Sequence, residues 1–430
     1  MRYYFFLLCL FLWTSCQSDQ PSDQANLSTN AIEEPIAIPD SLHRIKLTFV
    51  GDIMGHTDQI RSAAGKPENF KSEDVKVFDY EPCFRYVAPI LKQADLAIGN
   101  LELTLSNKGR YTGYPMFRSP DQLAYDLKNA GFDLLTTCNN HSNDGRVYGV
   151  DHTIEVLESL KIAHTGTFRD SAEKAATYPL IIEKEVNGTV FKLAFLSYTY
   201  GTNGVATRLP NIVNIIDDST ILADIALAKA KQPDIIIAMM HWGSEYKLNE
   251  RPEQQKLTRL LWDNGVDVVI GGHPHVIEPI KLDTLYQATD SSFVKERLVT
   301  YSLGNFISNQ NKKNTDIGLI FELELVKNDK TNQTTIGKHN YIFGWRYRHQ
   351  YIKNSAFGTT YTIVPVSAFE SNLNPLPLSP KDSAEMMTVT NRMRTHLGKW
   401  QSSERKVSRQ ELEPILPLVK EKAPTNTAQK

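Results

Sequence analysis

At 430 residues the chain is long enough for one large domain or two ordinary ones. Its 41% hydrophobic and 22% charged content excludes global disorder and allows a sizeable core. A formal charge of −2 gives no electrostatic reason to expect nucleic acid as a partner, and four cysteines are too few for a disulfide scaffold of this size.

Arg2 supplies a positive start, and Tyr3 to Trp13 form an apolar run of signal-peptide length. Thr14-Ser15-Cys16 follows, and a polar stretch begins at once. Small residues directly before a cysteine resemble a bacterial lipoprotein box, which implies a signal over residues 1–16 and a lipid on Cys16. Trp13 departs from that pattern, where an aliphatic residue is usual, so ordinary secretion with cleavage near Ser15 is the alternative. Residues 17–44, rich in Ser, Asp, Gln, Asn and Pro, have the composition of a flexible tether. No later stretch approaches the ~20 apolar residues that span a bilayer. Cys83 and Cys138 are expected to be free and buried, with a single bridge between them as the other choice.

Ile45 to Val50 is the first expected core strand, and it ends in Gly51-Asp52, where a carboxylate is offered to a metal or substrate. An N-cap is the plain role for such an Asp. Phe84 to Gln93 is expected to be helical. Asp95 to Gly99 is a second strand, ending at Asn100 and Glu102. The loop from Ser106 to Ser119 holds Arg110, Tyr111, Tyr114 and Arg118, which would suit an anionic substrate or simply face solvent. Asp121 is expected to cap a helix, Gln122 to Ala130, closed by Gly131. Phe132 to Thr137 is a third strand and delivers Asn139-Asn140-His141-Ser142-Asn143-Asp144, too dense in polar groups for an ordinary turn. Asn oxygen and His nitrogen together suit a divalent transition metal.

Val150 to Leu160 is the next helix, and Ile162 to Gly166 a short strand carrying His164, either a site residue or a structural one. Residues 178–186 and 190–197 form a hairpin about Asn187-Gly188, and 217–231 a helix. Asp234 to Met240 is the clearest buried strand and ends in His241. Glu253 to Gly265 is a helix leading to Val266-Asp267-Val268-Val269-Ile270, a β-branched run broken by Gly271-Gly272 before His273-Pro274-His275. A right-handed crossover sets both strand ends on one edge of a parallel sheet, where open α/β folds bind ligands. Leu298 to Leu303 is one more strand, ended by Gly304-Asn305-Phe306. Gly318 to Val326 and Tyr341 to Tyr351 alternate like exposed antiparallel strands, Ser383 to Trp400 is an amphipathic helix, and the charged tail from 401 to 430 is expected to be loose.

Strand ends therefore carry Asp52, Asn100 with Glu102, Asn140 with His141, His241, and His273 with His275. Such a set has the ligands of a two-metal centre, in which paired ions clamp an anionic substrate and acidify bound water. Its order resembles the calcineurin-like metallophosphoesterases. It is more closely similar to the bacterial capsule-synthesis CapA family, implicated in poly-γ-glutamate production. The pieces that carry this are Gly51-Asp52-Ile53-Met54, Gly99-Asn100-Leu101-Glu102, Asn139-Asn140-His141-Ser142, His241-Trp242-Gly243, Gly271-Gly272-His273-Pro274-His275 and Ser302-Leu303-Gly304-Asn305-Phe306.

The resemblance covers roughly residues 46–310. It implies an α/β metallophosphatase-like layered fold with central mixed sheets flanked by helices over 45–326 and leaves both ends unexplained; the C-terminal strands and helix over 327–400 are expected, from their own pattern, to pack on it. It implies one or two divalent ions (Mn, Zn or Fe) held by Asp52, Glu102, Asn140, His241, His273 and His275. His141 takes the place of the substrate-facing acid; Asn100, and on the loop reading Arg110 and Arg118, are left to the substrate. Whether Glu102 or Asn100 matches the family's bridging carboxylate is open. Met54 stands where the second ligand of Asp-x-His is usual, so one metal position is poorer in ligands unless His56 compensates. The implied activity is metal-dependent hydrolysis or transfer on a phosphoester or an anionic capsule polymer. With the lipid anchor expected at Cys16, the place is the cell envelope, and a membrane polymer-synthesis complex is the implied partner. The alternative is a non-catalytic component that only grips a polyanion.

Overall fold

The computed structural model describes residues 42–65, 77–108, 110–286, 293–353, 356–371, 373, 376–398 and 402–416. The signal segment with Cys16, and the tether as far as residue 41, lie outside the described residues.

Alternation along the buried strands explains the layers. In the strand Ile235–His241, Ile235, Ile237 and Met239 face one cluster, while Ile236, Ala238 and Met240 face another. Leu193 and Phe195 alternate in the same way with Ala194 and Leu196 on Thr189–Thr199, and Val268 and Ile270 alternate with Val269 on Val268–Gly272. A strand apolar on both faces needs cover on both. Here one cover is a second sheet and the other a layer of helices.

The first sheet runs in the order Ala356–Pro365, Gln333–Lys353, Ile317–Asn328, Leu42–Ile53, Leu96–Leu101, Leu134–Thr136, Ala163–Thr165. The second runs Ile280–Tyr286, Phe293–Thr300, Val268–Gly272, Ile235–His241, Thr189–Thr199, Leu180–Val186. Leu47, Phe49, Ile98 and Leu134 of the first sheet share a core with Phe195, Ile237 and Ile270 of the second. Helix residues Leu123, Leu127 and Leu157 cover the first sheet's outer face, and Ile221, Ile225 and Leu261 cover the second's. The fold is thus a mixed α/β sandwich with helices outside, as the sequence implied.

Within each sheet the central strands are parallel: Leu42–Ile53 with Leu96–Leu101, then Leu134–Thr136, and Thr189–Thr199 with Ile235–His241, then Val268–Gly272. Their carboxyl ends gather Asp52, Asn100, His241 and the loop after Gly272 into one place. Close packing there depends on glycine. A Cβ on Gly51 would lie 1.8 Å from the Gly304 carbonyl oxygen, a backbone atom that cannot swing away. Gly51→Ala is expected to destabilise the protein by about 3 kcal/mol, the upper end for overpacking, as measured by urea unfolding. An unchanged midpoint would show that the Gly304 turn yields freely.

Several expectations need correction. Phe84 to Gln93 is not one helix but two short ones, Glu81–Phe84 and Ala88–Leu91, and Pro89 sits in the first turn of the second, where its missing N–H is harmless. Asp121 stands at the N-cap of Gln122–Ala130 without a side-chain cap bond; its carboxylate takes the His152 ring at 2.9 Å instead. Gly131 closes that helix with φ 112°, as expected. The strand expected to be exposed over 318–326 is Ile317–Asn328, and it is buried on both faces along its first half. Residues 402–416 are not loose. Arg405 donates to both oxygens of Glu322 at 2.6 and 2.8 Å and to both of Glu411 at 2.9 and 2.8 Å, pinning a short strand, Ser403–Glu404, to the sheet edge. Strands beyond 327 continue the first sheet rather than forming a separate layer on it. Cys83 and Cys138 are free and buried. Among the described residues no helix is long and apolar enough to cross a membrane.

Candidate metal centre

Asp52 is the hub. Its side chain is wholly buried, and Oδ1 accepts from Asn100 Nδ2 at 2.8 Å. Oδ2 accepts from the His273 backbone N–H at 3.1 Å and from His275 Nδ1 at 3.0 Å. Gly272 makes this approach possible, since a Cβ there would meet Asp52 Oδ1 at 2.7 Å. Burial by itself would raise the Asp52 carboxyl, but the bond and charge of His275, with His241 and Asn100, hold it down at about 2.

The His273-Pro274-His275 loop is strained. His273 has φ 95° and His275 φ 58°, both in the left-handed region that non-glycine residues avoid. Such backbone costs on the order of 1–3 kcal/mol per residue and concentrates where a site demands it. The strain has a visible result: His275 Nδ1 is shared by Asp52 Oδ2 and by Asn305 Oδ1 at 3.1 Å, which fixes the tautomer and leaves the Nε2 lone pair free. That Nε2 lies 3.8 Å from Glu102 Oε1.

His241, at its strand end, has Nδ1 3.2 Å from Asn100 Nδ2 and Nε2 3.0 Å from Asn140 Oδ1 and 3.7 Å from Glu102 Oε1. Burial, then the neighbouring His273, pushes His241 well below its ordinary value; burial and His275 take His273 to about 3. Both rings are therefore neutral at physiological pH, the form that ligates metal.

Glu102 tests whether a metal fits. It is fully buried, and neither oxygen receives a hydrogen bond from any donor. Burial, then the charges of Asp52, Glu245 and Asp144, pushes its carboxyl well above the ordinary range. His273 Nδ1 is likewise buried without a partner. Orphaned buried acceptors are costly and rare in proteins. Ligand atoms of Glu102, His241 and His273 lie within 4.8 Å of one another, as do those of Asp52, Glu102 and His275, and of Glu245, His273 and His275. Mixed imidazole and carboxylate donors suit a divalent transition ion. The residues fit the group.

Beside this set, His141 Nδ1 donates to Asp144 Oδ2 at 2.7 Å, and its ring meets Phe117 edge-on at 4.5 Å between centroids. The Phe117 backbone N–H donates to the same Asp144 oxygen. Nε2 accepts from Asn203 Nδ2 in a long bond of 3.5 Å. The ring is held from two sides, and only this exposed asparagine stands on its second nitrogen.

Asp52, Asn100, Glu102, Asn140, His141, His241, His273 and His275 are thus brought together. Others are not. Met54 is buried in the apolar core under the first sheet. His56 accepts from the Asn309 N–H at Nδ1 and donates its own backbone N–H to Gln59 Oε1, and burial lowers its ring to about 4. Arg118 Nη2 donates to Ser106 Oγ and the Lys108 carbonyl while its Nε is buried without an acceptor, and Arg110 is exposed. His164 sits on the edge strand Ala163–Thr165, 3.9 Å from Glu158. Sequence reasoning named the segments holding Asp144 and Asn305 without giving either residue a role. Glu245 and Tyr200, whose ring lies 4.5 Å from that of His273, were missed as site residues.

The fold and the site define an α/β sandwich protein with a histidine–carboxylate centre suited to a divalent metal. Residues 46–310 match the family described as bacterial capsule synthesis protein PGA_cap, and the chain belongs to it. It is similar to the PGA biosynthesis protein CapA of Bacillus subtilis (strain 168), 27% identical over 292 residues, covering 66% of this chain and 68% of that relative. It is also similar to the capsule biosynthesis protein CapA of Bacillus anthracis, 28% identical over 300 residues, covering 66% of this chain and 65% of that one. The chain therefore spans about two thirds of the length of these relatives. Among solved structures, the NAD nucleotidase of Haemophilus influenzae aligns at a TM-score of 0.39 with 11% identity, over 89% of this chain and 60% of that chain. A 5'-nucleotidase precursor from Thermus thermophilus aligns at 0.37 with 12% identity, over 82% and 59%.

Proposed function

We propose that the chain is a metal-dependent hydrolase or transferase of the cell envelope, acting on an anionic capsule polymer of the poly-γ-glutamate kind. The names of its relatives support the polymer; the chemistry rests on Glu102. Both of its oxygens are fully buried with no donor, and Oε1 stands 3.7 Å from His241 Nε2 and 3.8 Å from His275 Nε2, an arrangement that a cation in place of the carboxyl proton would complete. Asp52, Glu102, Asn140, His241, His273 and His275 would hold one or two ions of Mn, Zn or Fe. Such ions supply Lewis acidity and positive charge toward an anionic substrate.

The protein's own residues do the rest. Asp144 and Phe117 fix the His141 ring, so that Nε2 can pass a proton to or from the reacting group. Asn203 and Tyr200, both exposed and joined by a 3.1 Å bond, stand beside it. A component that only grips polymer has no task for an oriented His–Asp pair, which is why turnover is the preferred reading. The test is a screen of metal-loaded protein against phosphoesters and γ-linked glutamate oligomers. At least one is expected to turn over, with loss of activity on chelation; no turnover of any with metal bound would overturn the enzyme reading.

The envelope reading extends to Cys16 and a membrane polymer-synthesis complex. Cys16→Ser is expected to move the protein from the membrane to the soluble fraction of lysed cells. An unmodified mature N-terminus on wild-type protein would refute the lipid anchor.

A further inference from the structure

The arginine loop expected to receive anions turns its Arg118 inward on its own loop, but another part of the chain carries that chemistry. A cleft of about 550 Å³ is lined only by residues numbered 310 and above, from the segment 310–316, the strand Gln333–Lys353 and the helix Pro380–Leu397. It falls almost wholly beyond the family match at 46–310.

Six cations line it: Lys312, Lys313, Arg346, Arg348, Lys381 and Arg392. Three carboxylates, Asp316, Asp382 and Glu385, accompany them. Neutral groups take up much of the bonding on both sides. Arg346 donates to the Gln310 carbonyl at 3.0 Å, Arg348 to the side chains of Asn309 and Asn311 at 3.4 Å, and Arg392 to that of Asn314 at 2.6 Å. Asp382 accepts from Tyr347 and Ser379, and Asp316 from Trp345. Positive charge is left over. Arg346 is the sharpest case, since it is only 8% exposed and its Nε is buried without an acceptor. A buried guanidinium donor with no partner is costly, and an anion is its natural complement.

The cleft adjoins the metal centre through one residue. Gln310 gives its carbonyl to Arg346, and its side-chain oxygen accepts from Asn305 Nδ2 at 2.9 Å. Asn305 in turn holds His275 Nδ1. Its cations stand on three separate elements rather than converging on a point, which suits a chain of repeated charges better than a single phosphate.

We infer that this cleft is the docking subsite for the polymer, gripping carboxylates of a γ-linked glutamate chain whose neighbouring segment lies at the Asp52–His275 centre. The occupant's identity rests on the proposed function; the cleft's anion preference does not.

The experiment titrates the purified, metal-loaded full chain with a fluorescent γ-linked glutamate oligomer of about ten residues, and with inorganic polyphosphate of similar length. Lys312→Glu/Lys381→Glu, two exposed residues on different walls, is expected to weaken oligomer binding by about tenfold or more. Metal content and melting temperature should stay at wild-type values. Lys229→Glu/Lys231→Glu, at the end of the helix Asp218–Ala230, changes net charge equally and should leave the affinity alone. Equal losses in both doubles, no loss in the first, or no oligomer binding by wild type would overturn the inference. Binding of polyphosphate in preference to the glutamate oligomer would overturn the assigned occupant. Because the readout is affinity, an absence of turnover would count against the enzyme reading and leave this one standing.

Discussion

Replacing His241 or His273 by alanine is expected to lower metal affinity by at least about 100-fold, since removing even an outer-shell partner costs 10–100-fold. Each substitution deletes an imidazole already held neutral by burial, and with it one member of the Glu102–His241–His273 group. Glu102 sets the pH dependence. Burial raises its carboxyl well above the ordinary range, so the metal-free protein holds a proton there that ion binding must expel. Uptake should therefore release about one proton per protein and strengthen as pH rises, until Glu102 would ionise unaided. The same shift bears on stability: the unfolded chain gives up that proton first, so the metal-free protein loses stability as pH climbs above the ordinary carboxylate value. Calorimetry in buffers of differing ionisation heat counts the proton, and Glu102→Gln should abolish its release while weakening binding. Elemental analysis showing equal metal in wild type and both histidine variants would remove these residues from the ligand set.

Which parts of this centre could be read from the chain follows from how each residue acquires its role. Asp52, His241, His273 and His275 were legible because each ends or follows a run of apolar residues that only a covered parallel strand explains. Strand direction alone then gathers them at one edge. Asp144 was visible as part of a polar cluster, but its task depends on the turn that brings it back to His141. Asn305 gains its part only when its strand pairs beside Asp52. Charge was the least legible property. Arg118 looked free in sequence, yet its partners lie within its own loop. Glu322 made its strand look exposed because Arg405, which covers it, is 83 residues away. Met54 shows the opposite case: an apolar residue at an expected ligand position goes into the core, as its chemistry dictates.

His141→Ala should separate chemistry from metal binding. The ring touches Asp144, Phe117 and Asn203 rather than the Glu102 oxygens, so its loss should leave metal content and folding intact. Turnover should fall by about 10²–10⁴-fold, the usual worth of a positioned acid or base. Asp144→Asn probes the same device one step back. It keeps an oxygen for the Phe117 N–H or the ring but removes the charge that both now share. The expected loss is smaller, about 10- to 100-fold, and falls on kcat more than on KM, because the ring is displaced without removing a substrate contact. A pH–rate profile adds the decisive comparison. If His141 moves the proton, the limb that it controls should vanish in His141→Ala and shift in Asp144→Asn. Asp52→Ala, by contrast, should lose metal and activity together. Undiminished turnover in His141→Ala with metal in place would show that the proton travels by another group, and the catalytic assignment would pass to a residue nearer the ions.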